Sequence, residues 1–339
     1  MPIFEIDPDI RRAKTLSSEF YTDPHFFESS KEKIFARSWH LLGHSSSFSD
    51  LTPFDLLPNF LSEPLLIAKD NDNVRCLSNV CTHRGKLLVE EPCTANLIRC
   101  GYHGRRFSLD GKFLSMPEFE GVENFPCDDD NLRQLPVAKH YGFHFTSIDP
   151  IASLESFLGD GSIAFGEFVF KDLNLASTRQ YEIDAHWALY CENYLEGFHI
   201  PYVHKSLNEI VDYGTYTTEL FRYSSLQTGY DSDGNVAARY LFVFPNLMFN
   251  FYPWGISVNV VRPVSPSRTI VEYLNYVGDE NMLGQGAGAD THSVELEDEA
   301  VVECVQKGIR SRFYSHGRYS PTRETGTHHF HRLIAEFMN

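Results

Sequence analysis

Two short segments constrain this 339-residue chain more than anything else in it: Cys81-Thr82-His83 and Cys100-Gly101-Tyr102-His103, with sixteen residues between them. Each pairs a thiol with an imidazole, donors that suit zinc or iron–sulfur chemistry. A Cys2His2 zinc site usually takes both cysteines from one arm and both histidines from the other. Here each arm is mixed. Mixed arms suit a two-iron cluster in which Cys81 and Cys100 bind one iron while His83 and His103 bind the other. Both readings place the segments in facing loops. Gly85, Gly101 and Gly104 accompany them, expected where a backbone must come close to the bound inorganic atoms. Cys76, Cys93, Cys127, Cys191 and Cys304 lack this context and read as ordinary core or surface thiols.

Seven cysteines are an odd number, and the N-terminus "MPIFEIDPDIRRAK" has no signal-peptide character, so reduced thiols and a cytoplasmic location are expected. No run approaches the roughly 18 apolar residues of a membrane span, so no membrane partner is expected. With 46 acidic and 29 basic residues the net charge is −17, which repels phosphate backbones and argues against nucleic-acid binding. The same surface tolerates a cationic small molecule.

The length fits two domains at roughly 150 residues each. Residues 1–38 read as short helical pieces that pack on the C-terminal domain. Residues 39–150 read as short strands with turn punctuation, such as Asp110-Gly111 between apolar runs. Residues 151–339 mix a helix over 184–199, aromatic-rich strands over 216–278, a glycine-rich loop "LGQGAGAD" and a helix over 292–311. The fold class is α+β: a small antiparallel β domain ahead of a larger α+β domain.

A second group of donors lies in "DAHWALYCENYLEGFHIPYVHKS". On a helix over 185–199, Trp187, Cys191, Tyr194 and Phe198 form an apolar stripe, while Glu192, Glu196 and His199 project together from another face. Pro201 ends the helix just past His199. His204 would face away from His199 by about 140° on an unbroken helix, and the proline break lets the two meet. Two histidines and a carboxylate make a facial triad for mononuclear iron(II). The acid is sought in "HSVELEDEAVVECVQKGI", where Asp298 falls on a stripe of Val294, Val301, Val305 and Ile309. Glu295, Glu297, Glu299 and Glu303 lie off that stripe and read as solvated. Phe242, Phe244, Phe249, Phe251, Tyr252 and Trp254 are expected in strands, some lining a cavity and some filling core. A cavity of this kind could cage a quaternary ammonium by cation–π attraction or stack against an aromatic ring. His328, His329 and His331 near the C-terminus read as structural.

Taken with their order, C-x-H-R-G followed by C-x-Y-H-G, "GRRFSLDGKF", "ENYLEGFHIPYVH" and "ED" ahead of "VVECVQKGI" resemble the alpha subunits of Rieske non-haem iron oxygenases over nearly the whole chain. Arg105 stands where many relatives carry tryptophan. The resemblance implies a Rieske domain over 39–150, a helix-grip catalytic domain over 151–339, one 2Fe-2S cluster held by Cys81, His83, Cys100 and His103, and one mononuclear iron held by His199, His204 and Asp298. It implies dioxygen as cosubstrate, a reductase or ferredoxin as electron donor with NAD(P)H used indirectly, a small-molecule substrate and a homotrimer. Glu196 is then the bridge between centres, where ring-hydroxylating relatives carry aspartate, and Asn193 supports the iron site from behind. Glutamate at that bridge resembles the choline, carnitine and betaine branch. The alternatives are a pure electron carrier and a zinc-binding interaction module.

Overall fold

The computed structural model describes residues 4–71, 73–168, 170, 173–204, 214–283 and 291–339. Most of the glycine-rich loop "LGQGAGAD" lies outside the described residues. The chain forms two compact units, one of Trp39–Asp149 and one of Met1–Ser38 with Pro150–Asn339. All strand pairings in both are antiparallel.

The smaller unit has ten short strands in three sheets. One joins β1 (His40–His44), β10 (Phe143–Thr146) and β9 (Val137–His140); a second runs β2 (Leu51–Leu56), β3 (Glu63–Asp70), β4 (Asn73–Ser78) and β8 (Gln134–Leu135). The third joins β5 (Ile98–Arg99), β6 (Arg106–Phe107) and β7 (Phe113–Ser115). Alternate residues of these strands, among them Leu66, Ala68, Leu77, Ile98 and Phe107, close a core that also takes in Cys81 and Cys100. Burial therefore anchors the thiol end of both donor loops.

The larger unit is built on a seven-stranded sheet in the order β11 (Asn174–Ile183), β17 (Arg268–Val277), β16 (Gly255–Ser265), β15 (Leu247–Tyr252), β14 (Val236–Val243), β13 (Ser224–Tyr230), β12 (Thr217–Leu220). Helix α5 (Trp187–Tyr194) packs against β16 and against the long helix α7 (Thr291–Gly308). Four shorter helices, α1 (Ser18–Thr22), α2 (Pro24–Ser30), α3 (Leu154–Leu158) and α4 (Ile163–Glu167), precede it, α6 (Ile200–Val203) follows it, and α8 (Thr325–Met338) closes the chain. No helix among the described residues is long and apolar enough to cross a membrane.

Three details depart from the sequence pattern. The helix expected over 184–199 spans only Trp187–Tyr194. His186 caps its start, Nδ1 accepting from the Ala188 N–H at 3.3 Å, and the chain breaks at Leu195. Pro201 therefore opens the next helix rather than closing this one, a position where its missing N–H costs nothing. Glu192 consequently does not share a face with Glu196: it accepts from the Tyr21 hydroxyl at 2.7 Å and faces His331 Nε2 at 3.1 Å.

On α7 the buried face is Glu295, Val302 and Gln306, continued by Ile309 just past its end, while Val305 is 44 % exposed. The inner face is rotated from the apolar stripe because polar residues on it find partners: Gln306 accepts from the His186 N–H at 2.8 Å.

The three C-terminal histidines stitch segments of this unit together. His328 Nε2 meets the Asp7 carbonyl at 2.8 Å, His331 Nδ1 meets the Tyr319 hydroxyl at 2.5 Å, and burial holds His329 down at about 4.

Candidate metal centres and substrate cavity

The two Cys–His loops have the same backbone wiring. Cys81 N–H donates to the Lys86 carbonyl at 2.9 Å and Gly85 N–H to the Cys81 carbonyl at 3.0 Å. Cys100 N–H donates to the Arg105 carbonyl at 2.8 Å and Gly104 N–H to the Cys100 carbonyl at 3.1 Å. Gly85 and Gly104 sit at φ +71° and +76°, the left-handed region where a side chain is strained. Neither is crowded, since an added Cβ would meet nothing within 4 Å at Gly85 and nothing nearer than 3.7 Å at Gly104. Backbone conformation is thus sufficient reason for glycine at both positions. Gly101 has no such requirement.

Both loops turn their cysteines inward and leave their histidines toward solvent, with the His83 and His103 ring centroids 4.8 Å apart. The two thiols hydrogen-bond each other. Burial pushes Cys81 up; at Cys100 burial acts the same way, but the N–H groups of Tyr102 and His103 outweigh it and carry that thiol below its ordinary range. This is a donor set with thiolates at one end and imidazoles at the other. Among the described residues, the four do not form a group with all donor atoms within 4.8 Å, the spacing that one ion would need. A cluster with separate metal atoms for the two ends fits them; a single zinc does not.

Arg105, 2 % exposed, lies behind the second loop. Its guanidinium reaches Asp130 Oδ1 at 2.5 Å and stacks on Phe113 at 4.8 Å and Phe125 at 5.5 Å. An aromatic cage and an ion pair thus hold this side chain behind the loop.

In the larger unit, His199, His204 and Asp298 bring three donor atoms within 4.8 Å of one another, the one such group found among the described residues. Asp298 Oδ1 lies 2.9 Å from His204 Nε2 and 3.5 Å from His199 Nε2. The far ring nitrogens also meet carboxylates: His199 Nδ1 faces Glu196 Oε1 at 2.7 Å and His204 Nδ1 faces Glu297 Oε2 at 2.7 Å. An ionised carboxylate only accepts, so each Nδ1 carries a proton and each Nε2 presents its other edge inward, the arrangement that orients imidazoles toward a metal. Asn193 Nδ2 donates to Asp298 Oδ1 at 2.6 Å. At His204 burial works against the charged form, but Asp298 and Glu297 prevail and raise it above the usual range. So much negative charge around two imidazoles calls for a cation, and a divalent metal ion meets that demand.

Glu196 has a second task. Its Oε2 accepts the backbone N–H groups of His199, at 3.1 Å, and of Phe198, capping the turn that carries His199 into α6. Sequence reading missed Glu297. Its signal was adjacency to Asp298, masked because an acid off the apolar stripe reads as solvated.

Beside the three donors opens a cavity of about 120 Å³. Of the six strand aromatics singled out, only Tyr252 lines it. Phe249 and Phe251 project to the other face of β15, where they pack on Phe165 at 5.0 and 4.9 Å; Phe242 and Phe244 pack on Phe330, and Trp254 stacks behind Tyr252 at 5.3 Å. The aromatic wall is instead made of tyrosines: Tyr190, Tyr194, Tyr216, Tyr240, Tyr252 and Tyr273. Asn250 and Asn259 supply amides, joined to each other at 3.0 Å.

Glu295 is the other surprise. It lines the same cavity yet is 2 % exposed, its Oε2 accepting from the hydroxyls of Tyr190, at 2.8 Å, and of Tyr273. Burial raises its carboxyl to about 8.

Comparison with known proteins agrees with both centres. Residues 38–126 match the Rieske [2Fe-2S] domain and residues 212–339 match the ring hydroxylating alpha subunit (catalytic domain). The chain is 30% identical to the carnitine monooxygenase oxygenase subunit of Escherichia coli (strain K12), over 96% of this chain and 94% of that protein. It is 29% identical to choline monooxygenase, chloroplastic, of Arabidopsis thaliana, over 98% of this chain and 85% of that protein. Among solved structures, the quaternary ammonium Rieske monooxygenase CntA in complex with L-carnitine superposes with a TM-score of 0.83 at 29% identity, covering 98% of this chain and 97% of that one. This chain belongs to the Rieske oxygenase alpha subunits, oxidoreductases that use dioxygen, a [2Fe-2S] cluster and a mononuclear iron.

Proposed function

We propose that this terminal oxygenase oxidises a small quaternary ammonium compound next to its nitrogen. The observation that carries this reading is the cavity beside His199, His204 and Asp298, walled by six tyrosines. Aromatic faces attract a cation without hydrogen-bonding it, which suits a head group that has no N–H to donate. The names of the relatives, which act on choline and carnitine, support the same class.

In this reading Cys81, His83, Cys100 and His103 hold the cluster, and His199, His204 and Asp298 hold the iron. When bound, the iron would supply the activation of dioxygen, and the cluster the electrons, for hydroxylation of the substrate. The protein's own residues do the rest. Glu196 and Glu297 keep the Nδ1 protons of His199 and His204 in place, so both Nε2 lone pairs face inward. Asn193 fixes Asp298 by donating to Oδ1. The tyrosine wall excludes water and orients the cationic end toward these donors.

Glu196, whose Oε1 meets His199 Nδ1 at 2.7 Å, would serve as the bridge between this iron site and the cluster of a neighbouring subunit in a ring of three chains. A separate reductase or ferredoxin fed by NAD(P)H supplies those electrons. Five free thiols besides the two cluster cysteines support a reducing, cytoplasmic setting.

The test is single turnover. The iron-loaded, chemically reduced protein is mixed with oxygenated buffer and either choline, carnitine or glycine betaine, or a panel of aromatic acids. Consumption of a quaternary ammonium compound with one oxygen atom incorporated from labelled dioxygen is the expected result. Turnover confined to the aromatic acids would overturn the substrate assignment.

A further inference from the structure

The proposed function accounts for the tyrosine wall but not for Glu295, a carboxyl that sequence reading assigns to solvent. Helix α7 places it one turn before Asp298, and it lines the same cavity as His204 and Asp298 while being 2 % exposed. Its two oxygens are treated differently. Oε2 accepts two tyrosine hydroxyls, from Tyr190 on α5 and Tyr273 on β17, so the group is clamped from two elements. Tyr190 and Tyr273 also meet each other at 3.0 Å, which fixes the clamp's geometry. Oε1 is buried and has no hydrogen-bond partner among the described residues. A buried acceptor without a partner is costly, and such groups persist where a ligand supplies what the protein omits.

The missing partner is constrained by its surroundings. The wall around Glu295 is aromatic, and Asp298 and Glu299 on its own helix are acidic, so the local field favours positive charge. A hydrogen-bond donor is not required of the ligand, because the tyrosine faces and a carboxylate together complement a methylated cation on all sides. Resting on the quaternary ammonium reading, we propose that Glu295 is the specificity-determining counter-charge of this oxygenase: its carboxyl, buried in the cavity wall, acts on the substrate's ammonium head through its charge and selects charged substrates over neutral ones of the same shape. Tyr190 and Tyr273 act as positioning residues that hold the carboxyl in place. Burial disfavours the carboxylate in the empty cavity, and the arriving cation is what restores it.

The experiment compares choline with 3,3-dimethylbutan-1-ol, its neutral carbon isostere, by calorimetric titration of the iron-loaded protein under nitrogen. Wild type, Glu295→Gln and Glu295→Asp are measured, and Glu295→Gln is close to isosteric with the neutral acid, so the fold is expected to persist. Wild type should bind choline more tightly than the isostere, by about tenfold or more. Glu295→Gln should lose that preference by weakening choline alone, and in turnover should raise KM more than it lowers kcat. Glu295→Asp, which keeps the charge, should retain part of the preference. An undiminished preference in Glu295→Gln would overturn the role of Glu295 while leaving the substrate class standing. Absence of any preference in wild type would overturn the substrate class and this role together.

Discussion

The two donor groups of this protein are assembled in opposite ways. The four proposed cluster donors lie within 23 consecutive residues, on two loops that repeat the same pair of backbone hydrogen bonds. The three proposed iron donors come from a helix break at 195–204 and from α7, ninety-four residues beyond His204, and they meet because α5 packs against α7. The first group is held by local backbone conformation and the second by tertiary packing. Its support is remote at two points, since Asn193 touches Asp298 and Glu297 touches His204 from distant stretches of chain, while Glu196 touches His199 within one turn.

The comparison is first sharpened by deleting one donor from each group. His83→Ala and Asp298→Ala should each lower turnover by about a thousandfold or more, because electron delivery and oxygen activation are both indispensable. In Asp298→Ala the visible spectrum of the cluster should persist, whereas in His83→Ala it should vanish. Loss of that spectrum in both would show that the groups are not independent.

A smaller effect probes the remote support. Glu297→Gln and Asn193→Ala should cost about 10- to 100-fold in iron affinity, read by titrating iron against a competing chelator, with little change in cluster content. Behind the second cluster loop lies the Arg105–Asp130 pair. Arg105→Ala should destabilise the small unit by about 2 kcal/mol, by removing an aromatic-stacked cation and leaving Asp130 without its partner. Thermal unfolding followed through the cluster's absorbance reads this. An unchanged midpoint would mean that the ion pair contributes nothing.

The larger unit should also respond to acid through His186, whose complete burial holds it at about 3, well under its unfolded value near 6.5. A depressed histidine favours the folded state above its unfolded pKa and loses that contribution as pH falls below it. The loss approaches about 1.4 kcal/mol per pH unit. His186→Asn keeps an acceptor at the start of α5, and should show a flatter fall in stability between pH 6.5 and 4.5 than the parent. Equal slopes would remove His186 from the account.

The smallest effect concerns the loops. Gly85→Ala and Gly104→Ala should each cost about 1 to 2 kcal/mol from the left-handed backbone alone, while Gly101→Ala should be close to neutral. Equal costs at all three would restore close approach to the bound cluster as the constraint.

What the sequence made readable follows the same division. Donors adjacent in sequence and spaced by a loop could be named from residue chemistry. The fold class was readable because strand alternation and turn residues are local signals. The phase of α7 was not, since its inner face carries Glu295 and Gln306, whose partners Tyr190, Tyr273 and the His186 N–H lie far off in the chain. The cavity wall was misassigned for a related reason. Alternation along β15 sends Phe249 and Phe251 away from the cavity, and tyrosines from α5, β14, β15, β17 and the stretch before β12 supply the aromatic faces instead. Glu297 and the two-part role of Glu196 depend on side-chain reach across a helix break that the pattern of residues 184–199 conceals.

The most direct test of two separately built centres is to count iron and acid-labile sulfide in parent and Asp298→Ala proteins reconstituted side by side, with EPR of the dithionite-reduced samples. The account predicts about three irons and two sulfides per chain in the parent. In the variant it predicts about two irons and two sulfides, with the same rhombic cluster signal. Unchanged iron in the variant would contradict the assignment of Asp298, and loss of sulfide or of the signal along with the iron would contradict the independence of the two sites.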